Sequence, residues 1–155
     1  MAGCATIAAM SSVTNRITIQ RPIDDVFAVL TDVEHTGTWF PLDVEEHWTS
    51  PAPRGVGSTR HAVVRLWGRR VENDAVVTEY EPPHRAAIAG TAQGATFAAT
   101  LVFLGDAEAT TVEVTTDIAL GGVGRIVAPV IAAWYGRQWA RGLETLKRML
   151  ESGEL

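Results

Sequence analysis

The chain has 155 residues, 46% of them apolar and 20% charged, which fits one ordinary globular domain able to build its own core. Its formal charge of −5, with no run of Lys or Arg to offset it, argues against nucleic acid as a partner. Cys4 is the single cysteine, which excludes an intramolecular disulfide and a cysteine-based metal cluster and suits a reducing, cytoplasmic setting.

Residues 1–12 read as a flexible N-terminal tail, because MAGCATIAAMSS has neither the basic start nor the sustained apolar run of a signal peptide. No stretch approaches the roughly 18 unbroken apolar residues of a membrane-spanning helix, so stable membrane insertion is not expected. A single ligand-binding domain is expected over residues 13–155. It opens with VTNRITIQ (13–20), whose alternation sets Val13, Ile17 and Ile19 on one face of a strand. Pro22 then opens a short helix, with Asp24 and Asp25 at its positive end and Val26, Phe27, Val29 and Leu30 as its apolar stripe.

The next segment, TDVEHTGTWFP (31–41), is polar until it ends in two large aromatics and a proline. A second strand is predicted over 44–49, followed by the loop residues SPAPRGVG. STRHAVVRLW (58–67) and RVENDAVVTEY (70–80) then read as a hairpin turning at Gly68-Arg69, with Trp67 opposite Arg70, Leu66 opposite Val71 and Ala62 opposite Ala75. This register puts Ala62, Val64, Leu66, Val71, Ala75 and Val77 on one face and Arg65, Arg70, Glu72 and Asp74 on the other. Carried onward, it sends Glu79, Ala86, Ile88 and Gly90 inward, then Phe97, Ala99, Leu101 and Phe103, then Val112, Val114, Thr116 and Ile118. The result is a long antiparallel meander with one wet face.

Residues 124–152 are predicted as one long helix with a stripe at Tyr135, Trp139, Leu143, Leu146 and Leu150. Its first half is apolar nearly all round, so that Ile131 and Tyr135 can face the sheet while Val127, Val130 and Trp134 form an outer face that loops or a second copy of the chain would cover. GGVGR (121–125) lacks the lysine and the further glycine of phosphate-binding loops and reads as the strand-to-helix turn. The helix is the one element long enough to cover the sheet. Between them, small residues at the centre (Ala62, Ala75, Ala86, Gly90, Ala99) and aromatics around them allow either a hollow or a filled core.

Strand, helix, the pattern Asp32…Trp39-x-Pro41, GVGS opening a strand, VTEYEPP closing another and a long final helix together resemble the START/Bet v 1-like (SRPBCC) helix-grip superfamily. The chain is most similar to its polyketide cyclase/dehydratase and lipid-transport group. That resemblance implies an α+β helix-grip fold: a curved seven-stranded antiparallel sheet wrapped around the C-terminal helix, with two short helices between strands 1 and 2. It also implies an internal cavity for a small hydrophobic ligand such as a lipid, isoprenoid or polyketide, bordered by Trp39.

The ligand-binding residues expected from register and resemblance are Trp39, Arg60, Ala62, Val64, Leu66, Val77, Glu79, Ile88, Phe97, Ala99, Leu101, Tyr135 and Trp139. Phe40 is expected to seal the end of the sheet. Because Glu79 and Arg60 share the inward face on adjacent strands, an Arg60–Glu79 pair is expected, either at the cavity or at its rim. Cyclase members of the family carry a helpful arginine in this strand, and alignment on Pro83 puts Glu79 in its place, which weakens transfer of their mechanism. Should the chain be an enzyme, Glu79, Tyr80 and Tyr135 are the acid/base candidates for a cofactor-independent cyclisation or dehydration. His35, His47, His61 and His84 lie on separate elements without ligand spacing, so no metal and no cofactor are expected. Three readings stay open: a ligand binder, a cyclase, and an interaction module or homodimer through Val127, Val130 and Trp134.

Overall fold

In the computed structural model, which describes residues 10–155, seven antiparallel strands form one sheet in the order β1-β7-β6-β5-β4-β3-β2. The strands are β1 (Met10–Ile19), β2 (Asp43–Trp48), β3 (Thr59–Leu66), β4 (Arg69–Glu81), β5 (Arg85–Ala92), β6 (Ala95–Gly105) and β7 (Thr110–Leu120). Two short helices, α1 (Ile23–Thr31) and α2 (Thr36–Trp39), join β1 to β2 across the sheet, and a long helix, α3 (Ala128–Ser152), closes the chain. This is the expected helix-grip architecture. β1 begins three residues before the expected Val13, and the rest of the expected tail, residues 1–9, lies outside the described residues.

β1 and β2 are neighbours in sequence but sit at opposite edges of the sheet, so the 31–41 segment spans its concave side. α1 presents Ile23, Val26, Phe27 and Leu30 to the core, and the Asp32 carboxylate accepts the Glu34 N–H to start the turn toward α2. α3 is shorter than expected: a 3-10 turn (Gly122–Ile126) precedes it, and the α-helix begins next to Pro129, where the missing N–H of proline costs nothing. It ends on Gly153 in the left-handed conformation.

The packed core lies toward one end and one edge of the sheet. Ile19, Val112, Phe103, Leu143, Leu146 and Leu150 are fully enclosed there. α3 packs against β1 and β7, and at Gly136 a methyl group would lie 2.5 Å from Val13 Cγ2, so helix and strand touch backbone to side chain. Because the helix leans on this edge, Ala62, Ala86 and Ala99 of the middle strands are buried yet border a space that the helix does not fill.

The β3–β4 hairpin corrects the expected register by two residues. Its turn is Trp67-Gly68, both at positive φ (48° and 75°), and it pairs Leu66 with Arg69, Val64 with Val71 and Ala62 with Asn73. Positive φ at both central positions matches the right-handed twist of the strands, a geometry glycine takes freely. A slip of two preserves which side chains face inward, so the predicted apolar face survives. A second correction does change the facing. A β-bulge between Val77 and Glu79 adds one residue to β4, after which Glu79 lies opposite Ala87 and Tyr80 opposite Ala86. Glu79 therefore turns outward and Tyr80 inward.

A candidate ligand cavity between sheet and helix

Between the middle strands and α3 lies a cavity of about 310 Å³, at the small end of the range typical of ligand pockets. Its floor is Ala62, Val64 and Leu66 of β3, Val71, Asn73, Val77 and Tyr80 of β4, Ala86 and Ile88 of β5, and Phe97, Ala99 and Leu101 of β6. Its roof is Ile131, Trp134, Tyr135 and Trp139 of α3, and the α2–β2 segment closes it with Trp39, Phe40, Val44, Glu46 and Trp48.

Every expected ligand-binding residue except Glu79 borders this space. Glu79 instead pairs with Arg85 at 2.8 Å with both side chains well exposed, so the expected Arg60–Glu79 pair does not form. Of the three acid/base candidates, Tyr80 and Tyr135 line the cavity. Trp134 also departs from expectation. It borders the cavity and packs on the exposed Trp67 with ring centroids 5.4 Å apart, while Val127 and Val130 remain on the open surface. Phe40 does more than seal an end, since it lines the cavity and contacts Tyr135 and Trp139 at 5.9 and 5.3 Å between rings.

Trp39 is 3% exposed, with its ring 5.7 Å from that of Trp139. Gly142 makes room for it: a methyl there would sit 3.2 Å from Trp39, Phe40 and Pro41 at once. The aromatic end of TDVEHTGTWFP is thus turned inward and locked by the last helix. The indole N–H groups of Trp39 and Trp139 and the hydroxyl of Thr116, all on cavity residues, are buried without a hydrogen-bond partner.

The wall carries one charged pair, and sequence reasoning missed half of it. Arg60 and Glu46, with side chains 7% and 10% exposed, approach to 3.2 Å from Nε to Oε2. The approach lies off the N–H axis, so Nε has a charge partner without a hydrogen bond. An Arg60 Nη1–H donates to Asn73 Oδ1 at 2.5 Å, and the guanidinium stands 5.7 Å from the centre of the Phe97 ring. Burial raises the Glu46 pKa above the ordinary carboxylate value, against the opposing pull of Arg60 and a Thr36 hydrogen bond. Tyr135 keeps some surface toward the hollow, yet burial, reinforced by the nearby Glu46 charge and opposed by Arg60, pushes its hydroxyl up to about 12. Alternation within VEEHW, with Val44, Glu46 and Trp48 on one face, is the signal that could have found Glu46.

An open groove of about 520 Å³ adjoins the cavity and shares Thr31, Trp48 and Tyr80 with it. It is lined by Asp24, Asp32 and Glu34 and by Arg54, whose guanidinium lies 4.7 Å from the centre of the Trp48 ring. It is larger but of mixed polarity and more open, whereas the inner cavity is the more enclosed and the more apolar of the two. Among the described residues, no group of three or more His, Cys, Asp or Glu is placed to hold a metal ion, and no helix is long and apolar enough to cross a membrane.

Residues 10–151 match the family model described as polyketide cyclase/dehydrase and lipid transport, and the chain belongs to that family. It is similar in fold to the Zhui aromatase/cyclase from a Streptomyces species (20% identity, 92% of this chain and 94% of that one, TM-score 0.73). It is also similar to a protein from Thermus thermophilus (18%, 94% and 100%, TM-score 0.75). A START superfamily protein from Mycobacterium smegmatis shares the fold as well (14%, 90% and 98%, TM-score 0.73). No curated protein matches the chain.

Proposed function

We propose that the chain binds a small, largely apolar organic molecule of the lipid, isoprenoid or polyketide kind in the cavity between sheet and α3. The observation that carries this reading is a partly enclosed space of about 310 Å³ whose wall is aliphatic and aromatic apart from one charged pair and a few hydroxyl and amide groups. Such a lining gives affinity through apolar burial and orientation through a small number of polar contacts. The family description, which joins cyclases with lipid transport, supports the same class of ligand. The test is native mass spectrometry of the purified protein combined with quenching of the cavity tryptophans by a fatty acid, an isoprenoid alcohol and an aromatic polyketide. Failure of all three to bind would overturn the reading.

A polyketide cyclase or dehydratase using the same cavity is the second reading. It is favoured by the placement of Tyr80, Tyr135, Glu46 and Arg60 around one apolar space and by the Zhui aromatase/cyclase among the similar folds. A homodimer through the start of α3 is favoured by the exposure of Ile126 (80%), Val127 (47%) and Val130 (68%). Sedimentation of the wild type against a Val130→Asp variant tests it, and a monomer at all concentrations rules it out.

A further inference from the structure

Most of the exposed large apolar side chains gather at one end of the molecule. There the β3–β4 turn reaches the start of α3 through the ring contact between Trp67 and Trp134. The 3-10 turn before α3 adds Ile126 and Val127, and the helix adds Val130 and Ile131, all four exposed. Ile131 and Trp134 also line the cavity, so this patch is the outer lip of the hollow. Trp67 is 82% exposed and stands at the first central position of a two-residue hairpin turn, with φ of 48°. Asparagine, aspartate and glycine take that conformation readily, and a bulky aromatic does not. A small residue would make the turn with less strain and without exposing an indole, so the needs of the fold do not account for the tryptophan.

The charge of this end is equally one-sided. Residues 66–71, 91–97 and 118–143, which form the hairpin tip, the β5–β6 turn and the approach to and first part of α3, contain no Asp or Glu, although the chain holds 18. At the tip stand Arg69, Arg70 and Arg125, all exposed. Among the described residues only Arg70 of the three is paired, with Glu72 at 3.7 Å. A chain of net charge −5 thus carries a basic, apolar end.

We infer that this end docks on an anionic lipid bilayer, with Trp67, Ile126 and Val130 entering the interface and Arg69 and Arg125 meeting the charged headgroups. An indole suits the headgroup level, aliphatic side chains suit the layer beneath it, and arginines gain from the negative surface potential. The chain then lies on the membrane without spanning it, in keeping with the absence of a long apolar helix among the described residues. A second copy of the chain fits this face less well, because a two-fold contact would set a basic patch without acids against itself. An acidic protein would answer the charge, but the anchoring side chains of protein interfaces sit in packed pockets, whereas Trp67 stands out from the tip of a turn. Docking in this orientation turns the lip of the cavity toward the bilayer, so that an apolar ligand passes between the two without crossing water. That consequence, unlike the docking itself, rests on the cavity being a ligand site.

The test is co-sedimentation of the full chain with vesicles of phosphatidylcholine alone and of phosphatidylcholine and phosphatidylserine in equal parts. Wild type is expected to bind the mixed vesicles at least about twentyfold better than the neutral ones and to lose that preference in high salt. Trp67→Ser should weaken binding to the mixed vesicles about tenfold through lost apolar burial. Arg69→Gln/Arg125→Gln should weaken it about twentyfold, at about fivefold for each arginine near the surface. Arg148→Gln, near the other end of α3, should change nothing. All four side chains are exposed, so each variant is expected to unfold at the wild-type temperature. Equal binding to both kinds of vesicle overturns the inference, as does a loss in Arg148→Gln as large as in the double variant. Absence of vesicle binding also overturns it, and a wild-type dimer dissolved by Val130→Asp would then assign the face to a second copy. Vesicle binding by a protein that takes up none of the apolar ligands leaves the docking standing while the ligand site falls, and the reverse result does the opposite.

Discussion

Arg60 and Glu46 are diagonal neighbours across the β2–β3 ladder, where Arg60 stands opposite Trp48 and Glu46 opposite Ala62. Both are nearly devoid of solvent. The pair therefore behaves as a unit, and its members cannot be removed one at a time without leaving a buried, unanswered charge. Arg60→Met and Glu46→Leu are each expected to lower unfolding free energy by about 3–5 kcal/mol, while Glu46→Leu/Arg60→Met falls within about 1 kcal/mol of wild type or above it. Urea unfolding of the four proteins closes the cycle. Additive losses would show that the two side chains do not depend on one another.

The Tyr135 hydroxyl gives the alkaline limb of stability a definite sign. In the folded chain it keeps its proton up to about pH 12, whereas in the unfolded chain it loses it near the ordinary tyrosine value of 10.0. Between these values the unfolded state binds fewer protons, so stability falls as pH rises, by at most about 1.4 kcal/mol per unit for this group. Below pH 10 the group has no effect of this kind. Tyr135→Phe should therefore show a shallower alkaline decline than wild type in urea midpoints measured across that window. Parallel curves would place the hydroxyl in contact with water.

A hollow and a core respond oppositely to volume. Ala99 points into the cavity and is 7% exposed, so Ala99→Leu adds apolar atoms where space exists. Stability is expected to hold or rise by about 1–2 kcal/mol, at about 0.8 kcal/mol per buried methylene, while affinity for any apolar ligand falls at least about tenfold. Phe103 is fully enclosed and meets Phe27 edge-on at 5.0 Å, so Phe103→Ala should cost about 3–5 kcal/mol. Thermal unfolding and ligand titration of the two variants separate these cases. A destabilised Ala99→Leu protein would mean that the space is already filled.

Much of this arrangement was legible in the sequence because period-two alternation reports facing without needing the register. The two-residue error at the β3–β4 turn left Ala62, Val64 and Val77 on the correct face for that reason. Trp39 was placed from the family-like Asp32…Trp39-x-Pro41 pattern, and the structure shows what alternation could not, that Gly142 makes its seat. Glu46 was missed because the partner of Arg60 was sought on β4, downstream, when it stands on β2, upstream. Trp134 was misassigned because a helix that is apolar all round does not announce which stripe faces the sheet. The bulge at Thr78 left no trace in composition, and so Glu79 was given the position that belongs to Tyr80.

That bulge yields the sharpest expectation about facing. Deleting one residue from the middle of a strand ordinarily sends every side chain beyond it to the opposite face. In β4, Thr78 is exposed and lies at the register shift between Val77, opposite Ile88, and Glu79, opposite Ala87. Removing it joins two correctly paired segments, so Tyr80 should still face the cavity and still pack on Phe27, whose ring now lies 5.7 Å away. The deletion variant is expected to fold with a modest loss of stability and to bind ligand as wild type does. Glu79→Ala should likewise spare binding, since it loses only an exposed pair with Arg85 worth about 0–1 kcal/mol. Tyr80→Ala, by contrast, removes a ring from the cavity wall and should weaken binding. If the Thr78 deletion abolished folding, or if Glu79→Ala weakened binding more than Tyr80→Ala did, the facing assigned to this end of β4 would be wrong.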